Sequence, residues 1–167
     1  DLKGKTVLIQ GWGNVASAAG FYLSKLGAKI VAITDRNGGV FNREGFSFEE
    51  VRNLFLSKNG NELQSDHIID QEEVQRKVWN YGAEIFIPAA ASRIVSIENI
   101  KSLIASGTKL ISCGANVPFI EDQIIFGDCS QYADEHIGLI PDFIANCGMD
   151  RAFNFLMQPN QKLSEEH

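Results

Sequence analysis

Short apolar runs alternate with longer amphipathic stretches along the chain. Thr6 to Gln10 (TVLIQ) and Lys29 to Thr34 (KIVAIT) are nearly continuous apolar segments, the pattern of strands buried on both faces. Glu84 to Ile87 and Lys109 to Cys113 repeat that pattern, and Gly138 to Ile140 is a shorter instance. Helical spacing fills the intervals. Asn14 to Leu26 is predicted as a helix with Val15, Ala18, Ala19, Tyr22, Leu23 and Leu26 on its inner face. Gly27 follows, where a helix end favours a residue that accepts positive φ. Ser47 with Glu50 forms a capping box for a helix to about Ser57. Gln71 to Trp79 and Ser96 to Ser106 read as further helices, and Tyr132 to His136 as the end of another. Asp142 is expected to cap a last helix running to about Met157. Two segments break the rhythm. "VFNRE", flanked by Asn37-Gly38-Gly39 and Gly45, reads as a small hairpin or turn excursion, and Lys58 to Asp70 as a polar surface connection.

This alternation predicts an α/β fold: a doubly wound, mostly parallel sheet with helices on both faces, in a single domain. In such sheets ligands bind outside the carboxyl ends of the strands. The unusual residues gather just there: Gly11-Trp12-Gly13-Asn14, Thr34-Asp35-Arg36, Pro88-Ala89-Ala90, Gly114-Ala115-Asn116 and Pro141-Asp142.

Each loop suggests a chemistry and admits a plainer use. Gly11 and Gly13 would allow a tight turn and a close approach to a pyrophosphate, with the helix from Asn14 offering free N–H groups. The same glycines would equally serve an ordinary strand–turn–helix. Asp35, about 20 residues on, suits the hydroxyls of an adenosine ribose and repels a 2′-phosphate, which favours NAD over NADP. Arg36 could pair with that phosphate or stand as a solvated charge. Ala89 and Ala90 are small enough to admit a nicotinamide ribose or simply to turn tightly. Asn116 and Asn146 could bind a carboxamide or carboxylate, or act as turn residues. No complete catalytic set is present, and Asp150 with Arg151 reads as a solvated pair.

Composition narrows the partners. A net charge of −6 argues against nucleic acid or an anionic membrane. No apolar run approaches the length of a membrane span, and no signal peptide opens the chain. Cys113, Cys129 and Cys147 have neither disulfide-like nor zinc-like spacing, which suits a cytoplasmic protein without a metal. The start at Asp1, only a few residues before the first strand, suggests a domain excised from a longer protein.

Several stretches together resemble the NAD(P)-binding, C-terminal domain of the glutamate/leucine/phenylalanine/valine dehydrogenases. These are "LKGKTVLIQGWGNVAS", "AITDRNGGVFNREGF", "EIFIPAA", "GANVP" and "LIPDFIANCG", in that family's order, spanning Leu2 to about Phe155. The resemblance implies that Gly11, Gly13, Asn14 and Val15 bind the pyrophosphate of NAD and that Asp35 binds the ribose. It places Ala89, Ala90 and Asn116 on the nicotinamide side, and Asn146 where cofactor and amino-acid substrate meet. The implied reaction is oxidative deamination of an L-amino acid to a 2-oxo acid and ammonia. The catalytic lysine and aspartate would lie in a separate N-terminal domain, and the intact enzyme is expected to be a homo-oligomer. Residues 1–160 would then form the dinucleotide-binding domain and 161–167 a tail. The chain departs from the family at Val117 and Met149, where glycines are usual, at Phe119 in place of threonine, and at Phe153, where a small side chain often shapes the substrate pocket. Two alternatives stand beside this reading. One is a non-catalytic NAD-sensing module; the other is a different oxidoreductase on the same fold, of malic-enzyme or methylene-folate type.

Overall fold

All five apolar runs become strands, and a sixth joins them in one sheet. The computed structural model describes residues 1–122 and 126–157, so the expected 161–167 tail lies outside the described residues. β1 (Thr6–Gln10) and β2 (Lys29–Thr34) are parallel neighbours. β3 (Gly39–Phe46) runs antiparallel to β2 at the sheet edge. β4 (Ile85–Pro88), β5 (Leu110–Ser112) and β6 (Gly138–Ile140) continue parallel on the other side of β1. The strand order is β3-β2-β1-β4-β5-β6. After β1 the chain builds outward in one direction, and after β3 it crosses back to build in the other. The switch point is therefore between β1 and β4.

β3 corrects the expected excursion. The hairpin exists, but β2 is its first arm, and "VFNRE" lies within a single eight-residue strand. The Asp35 N–H donates to the Gly38 carbonyl at 2.8 Å, which reverses the chain immediately after β2.

Helices cover both faces. α1 (Asn14–Lys25) and α2 (Phe48–Ser57) lie on one, with the Ser47–Glu50 capping box formed as predicted. Here Val7, Ile9, Ile30 and Ile33 of the sheet pack with Trp12, Ala16 and Val51. On the other face lie α3 (Gln71–Lys77), a 3-10 turn (Val78–Asn80), α4 (Ile97–Ala105) and α5 (Asp128–His136). Leu8, Phe86 and Ile111 pack there against Val74, Val78, Ile100, Leu103 and Ala133.

Two predicted helices change. α1 is rotated from its expected orientation: Ala16, Ser17, Gly20 and Ser24 are buried, while Val15, Tyr22 and Leu26 are exposed. Trp12 and Ile9 already occupy the space beneath the helix, so only small residues fit against them. A Cβ on Gly20 would lie 2.9 Å from the Trp12 ring. The expected final helix is two, α6 (Asp142–Ala145) and α7 (Gly148–Leu156). Pro141, and not Asp142, is the N-cap of α6.

Candidate functional site

The parallel strands deliver their carboxyl ends to one edge, where a cleft of about 630 Å³ opens over the switch point. Gly11, Gly13, Asn14, Val15, Asp35, Arg36, Ala89, Ala90 and Asn116 line it together, as predicted from sequence.

The turn after β1 is held from three directions. The Gly11 N–H donates to the Thr34 carbonyl at 2.6 Å, and the Ala89 N–H donates to the Gln10 carbonyl at 2.8 Å. Gly11 has φ +103°, and a Cβ there would lie 2.7 Å from the Ala89 oxygen and the Ala90 Cα. Glycine is thus required twice over, by backbone conformation and by space. The Trp12 side chain is packed in the core, 1% exposed, and its indole N–H donates to the Leu54 carbonyl at 2.9 Å. Gly13 is the N-cap of α1 and supplies no capping side chain, and the first turn holds no acidic residue. The N–H groups at the start of α1 therefore face the cleft without a side-chain acceptor, the arrangement that receives an anion.

Asp35 is 8% exposed. Its Oδ1 accepts from the backbone N–H groups of Asn37 (2.7 Å) and Gly38 (3.2 Å), and its Oδ2 from that of Leu63 (2.6 Å). A carboxylate has about four acceptor positions, so these bonds leave roughly one for a ligand. Arg36 is engaged too: its guanidinium meets the Glu62 carboxylate at 2.5 Å. That contact, followed by the Asn37 side chain, holds the Glu62 carboxyl below the usual carboxylate range.

Sequence reasoning missed the segment 58–63. Lys58 to Asp70 reads as a polar surface connection, yet its first part straps the loops after β1 and β2 from outside. Lys58 Nζ donates to Asn14 Oδ1 at 2.7 Å, and the Asn61 side chain stands over Gly13 and lines the cleft. Leu63 is 1% exposed, an apolar anchor within a polar run. That isolated leucine was the available signal.

On the other side of the switch point, the loops after β4 and β5 are joined edge to edge. Ser92 Oγ donates to the Asn116 carbonyl at 2.6 Å, Arg93 N to the Val117 carbonyl at 2.8 Å, and Ile94 N to the Pro118 carbonyl at 3.0 Å. Arg93 (φ 58°) and Val117 (φ 47°) are the non-glycine residues with positive φ among the described residues. Val117 thus sits in the left-handed region, a costly conformation for a β-branched side chain. Asp142 Oδ2 accepts the Val117 N–H at 2.8 Å and pins it. This tie is what Asp142 does in place of capping a long helix. Asn146, unlike the other predicted site residues, does not line the cleft; it meets the site only through Asn116, its Nδ2 donating to Asn116 Oδ1 at 2.5 Å.

The remaining departures fall outside the cleft. Phe119 is buried in the core, whereas Met149 and Phe153 stand exposed on α7. Asp150 and Arg151 are exposed as well. The titratable side chains lining the cleft, among the described residues, are Asp35 and Arg36. Burial, with Asp142 nearby, pushes the Cys113 thiol up to about 12; burial, with Glu121 nearby, pushes Cys129 up to about 11. Both remain protonated at neutral pH and neither is an activated nucleophile. No group of three His, Cys, Asp or Glu side chains among the described residues could hold a metal ion, and no helix among them is long and apolar enough to cross a membrane.

Comparison with known proteins agrees with this geometry. Residues 1–152 match the family model for Glutamate/Leucine/Phenylalanine/Valine dehydrogenase. An NAD-specific glutamate dehydrogenase A from Halobacterium salinarum is 32% identical over 145 residues, covering 86% of this chain and 30% of that protein. An NADP(+)-dependent glutamate dehydrogenase from Pyrobaculum calidifontis is 28% identical over 149 residues, covering 88% and 34%. A solved glutamate dehydrogenase structure superposes with a TM-score of 0.72 at 25% identity, covering 95% of this chain and 37% of that one. The chain spans about a third of the length of the curated relatives it matches. With the family model covering most of its length and the strand order, glycine turn and converging loops in place, the chain belongs to the glutamate/leucine/phenylalanine/valine dehydrogenase family.

Proposed function

We propose that this chain is the dinucleotide-binding part of an amino acid dehydrogenase that converts an L-amino acid to a 2-oxo acid and ammonia, and that its cleft takes NAD in preference to NADP. The bare N-terminus of α1, facing a cleft that Gly11 keeps open, carries the reading. The site fits a dinucleotide. The N–H groups from Asn14 onward, with Lys58 beside them, would hold the pyrophosphate, and the remaining acceptor position of Asp35 would take a ribose hydroxyl. Ala89 and Ala90 would leave room on the nicotinamide side, and the Asn116–Asn146 pair would offer its amides to a carboxamide or to substrate. The cofactor would supply the hydride acceptor. Among the described residues the nicotinamide side of the cleft is lined by no titratable side chain, so we assign deprotonation of the substrate amine to a separate domain and expect the chain alone to bind without turnover.

Gly13→Asp is the sharpest test. Gly13 has φ −73°, which any residue adopts, and an aspartate there would cap α1 with its own carboxylate. The melting temperature should hold or rise, while calorimetric NAD⁺ affinity falls by at least about tenfold as carboxylate and pyrophosphate compete for the same N–H groups. Unchanged NAD⁺ affinity would reduce the glycines to an ordinary turn.

A further inference from the structure

Asp35 alone is a poor discriminator between NAD and NADP in this chain. Its carboxylate is buried and three backbone N–H groups already draw on its charge. Beside it stands Arg36, three-quarters exposed at its side chain, and a free guanidinium at the end of β2 is a ready bidentate partner for a phosphate. Left to these two residues, the cleft would accept NADP⁺ well.

Glu62 changes that balance. We propose that Glu62, carried in on the strap, is the residue that sets the dinucleotide preference, by occupying Arg36 and placing a second carboxylate where a 2′-phosphate would arrive. The inference rests on the cleft being the dinucleotide site proposed above. Its support is local. The Glu62 carboxylate lies 2.5 Å from the Arg36 guanidinium, and the strap that carries it is fixed at both ends. Leu63 is buried and bonds to Asp35 through its N–H, and Lys58 is tied to Asn14. The pairing therefore belongs to an anchored segment and is not a chance meeting of two mobile side chains. Lys58 does not replace Arg36 as a phosphate ligand, because it is drawn to the opposite end of the strap, at the start of α1.

A dianionic 2′-phosphate would have to break the Arg36–Glu62 pair or approach it against the charges of Glu62 and Asp35. A 2′-hydroxyl meets neither obstacle. Glu62 thus acts on NADP⁺ by repulsion and by withholding Arg36, and leaves NAD⁺ untouched.

The test is calorimetric titration of the chain with NAD⁺ and NADP⁺ in wild type, Glu62→Gln and the double variant Glu62→Gln/Arg36→Gln. Glu62→Gln keeps the size of the side chain and removes its charge. Wild type should prefer NAD⁺, and Glu62→Gln should raise NADP⁺ affinity about tenfold with little change for NAD⁺. Most of that gain should vanish in the double variant, because Arg36 is what the phosphate gains. Melting of the unliganded variants should stay near wild type, since an exposed pair contributes little to folding. NAD⁺ binding with an unchanged preference in Glu62→Gln would overturn the role of Glu62 and leave the cleft assignment standing. Failure of wild type to bind either dinucleotide would overturn both.

Discussion

The two halves of the cleft are built on opposite plans. The half formed by β1, α1, β2 and the strap is tied down everywhere. Trp12 is buried beneath the turn, three N–H groups converge on Asp35, and the strap contributes a buried leucine and two charged contacts. The half formed after β4, β5 and β6 holds its shape with strained backbone at Arg93 and Val117. Beyond it, Phe143, Ile144, Met149, Phe153 and Met157 are largely open to solvent. A phosphate grip needs fixed N–H groups and tolerates little movement. The other half is held by fewer ties, the Val117–Asp142 hydrogen bond and the Asn116–Asn146 pair.

The comparison breaks if stability does not follow it. Trp12→Ala should cost about 4 kcal/mol in urea denaturation, because a filled site beneath α1 becomes a cavity. Phe143→Ala, on the loose half and 71% exposed, should cost less than about 0.5 kcal/mol. Equal losses would mean the halves are alike. Val117→Gly should stabilise the protein by about 1 kcal/mol in the same assay. Relief of the left-handed strain outweighs the added flexibility of glycine, and the N–H to Asp142 is retained. A loss of stability would show that the valine side chain contributes packing worth more than its strain.

The smallest effect concerns the seam between the halves. At the far edge of the sheet Glu84 meets Lys5, which precedes β1, at 2.9 Å, and Lys109, which precedes β5, at 3.1 Å. Hydrogen bonds from these two lysines hold its carboxyl down to about 2. In the unfolded chain the same group titrates near 4.3. Its contribution is therefore present above about pH 4.5 and lost as pH falls through 2. Glu84→Gln should cost about 0.3 kcal/mol at pH 7, discounted for the exposure of both lysines, and almost nothing well below pH 2. A difference independent of pH would assign the effect to packing.

What the sequence disclosed was what local pattern encodes. Strand runs are apolar on both faces because helices cover the sheet twice, so β1, β2, β4, β5 and β6 were legible within a residue or two. Gly11, Asp35 and Asn116 were legible as cleft residues because each sits at a strand end, where the loops converge. The inner face of α1 was not. Hydropathy assigns large residues inward, but the space under this helix is filled by a tryptophan from the preceding turn. The strap was invisible for a related reason: Lys58, Asn61 and Glu62 gain meaning only from partners 26 to 48 residues away in sequence. Val117 could be singled out from the sequence, yet only the backbone shows that this valine sits in the left-handed region.

The chain's two tryptophans flank the glycine turn from opposite faces of the sheet. Trp12 is packed in the core under α1, while Trp79 stacks edge-on against Phe86 and lines a crevice with Gly11 and Asp35. Each indole thus sits within reach of the same turn in a different environment, one sealed and one partly wetted. Nature has equipped the fold with a pair of internal fluorophores. Emission from Trp79 would register an occupant near Asp35, and emission from Trp12 would register loosening of the turn itself, without any dye being attached.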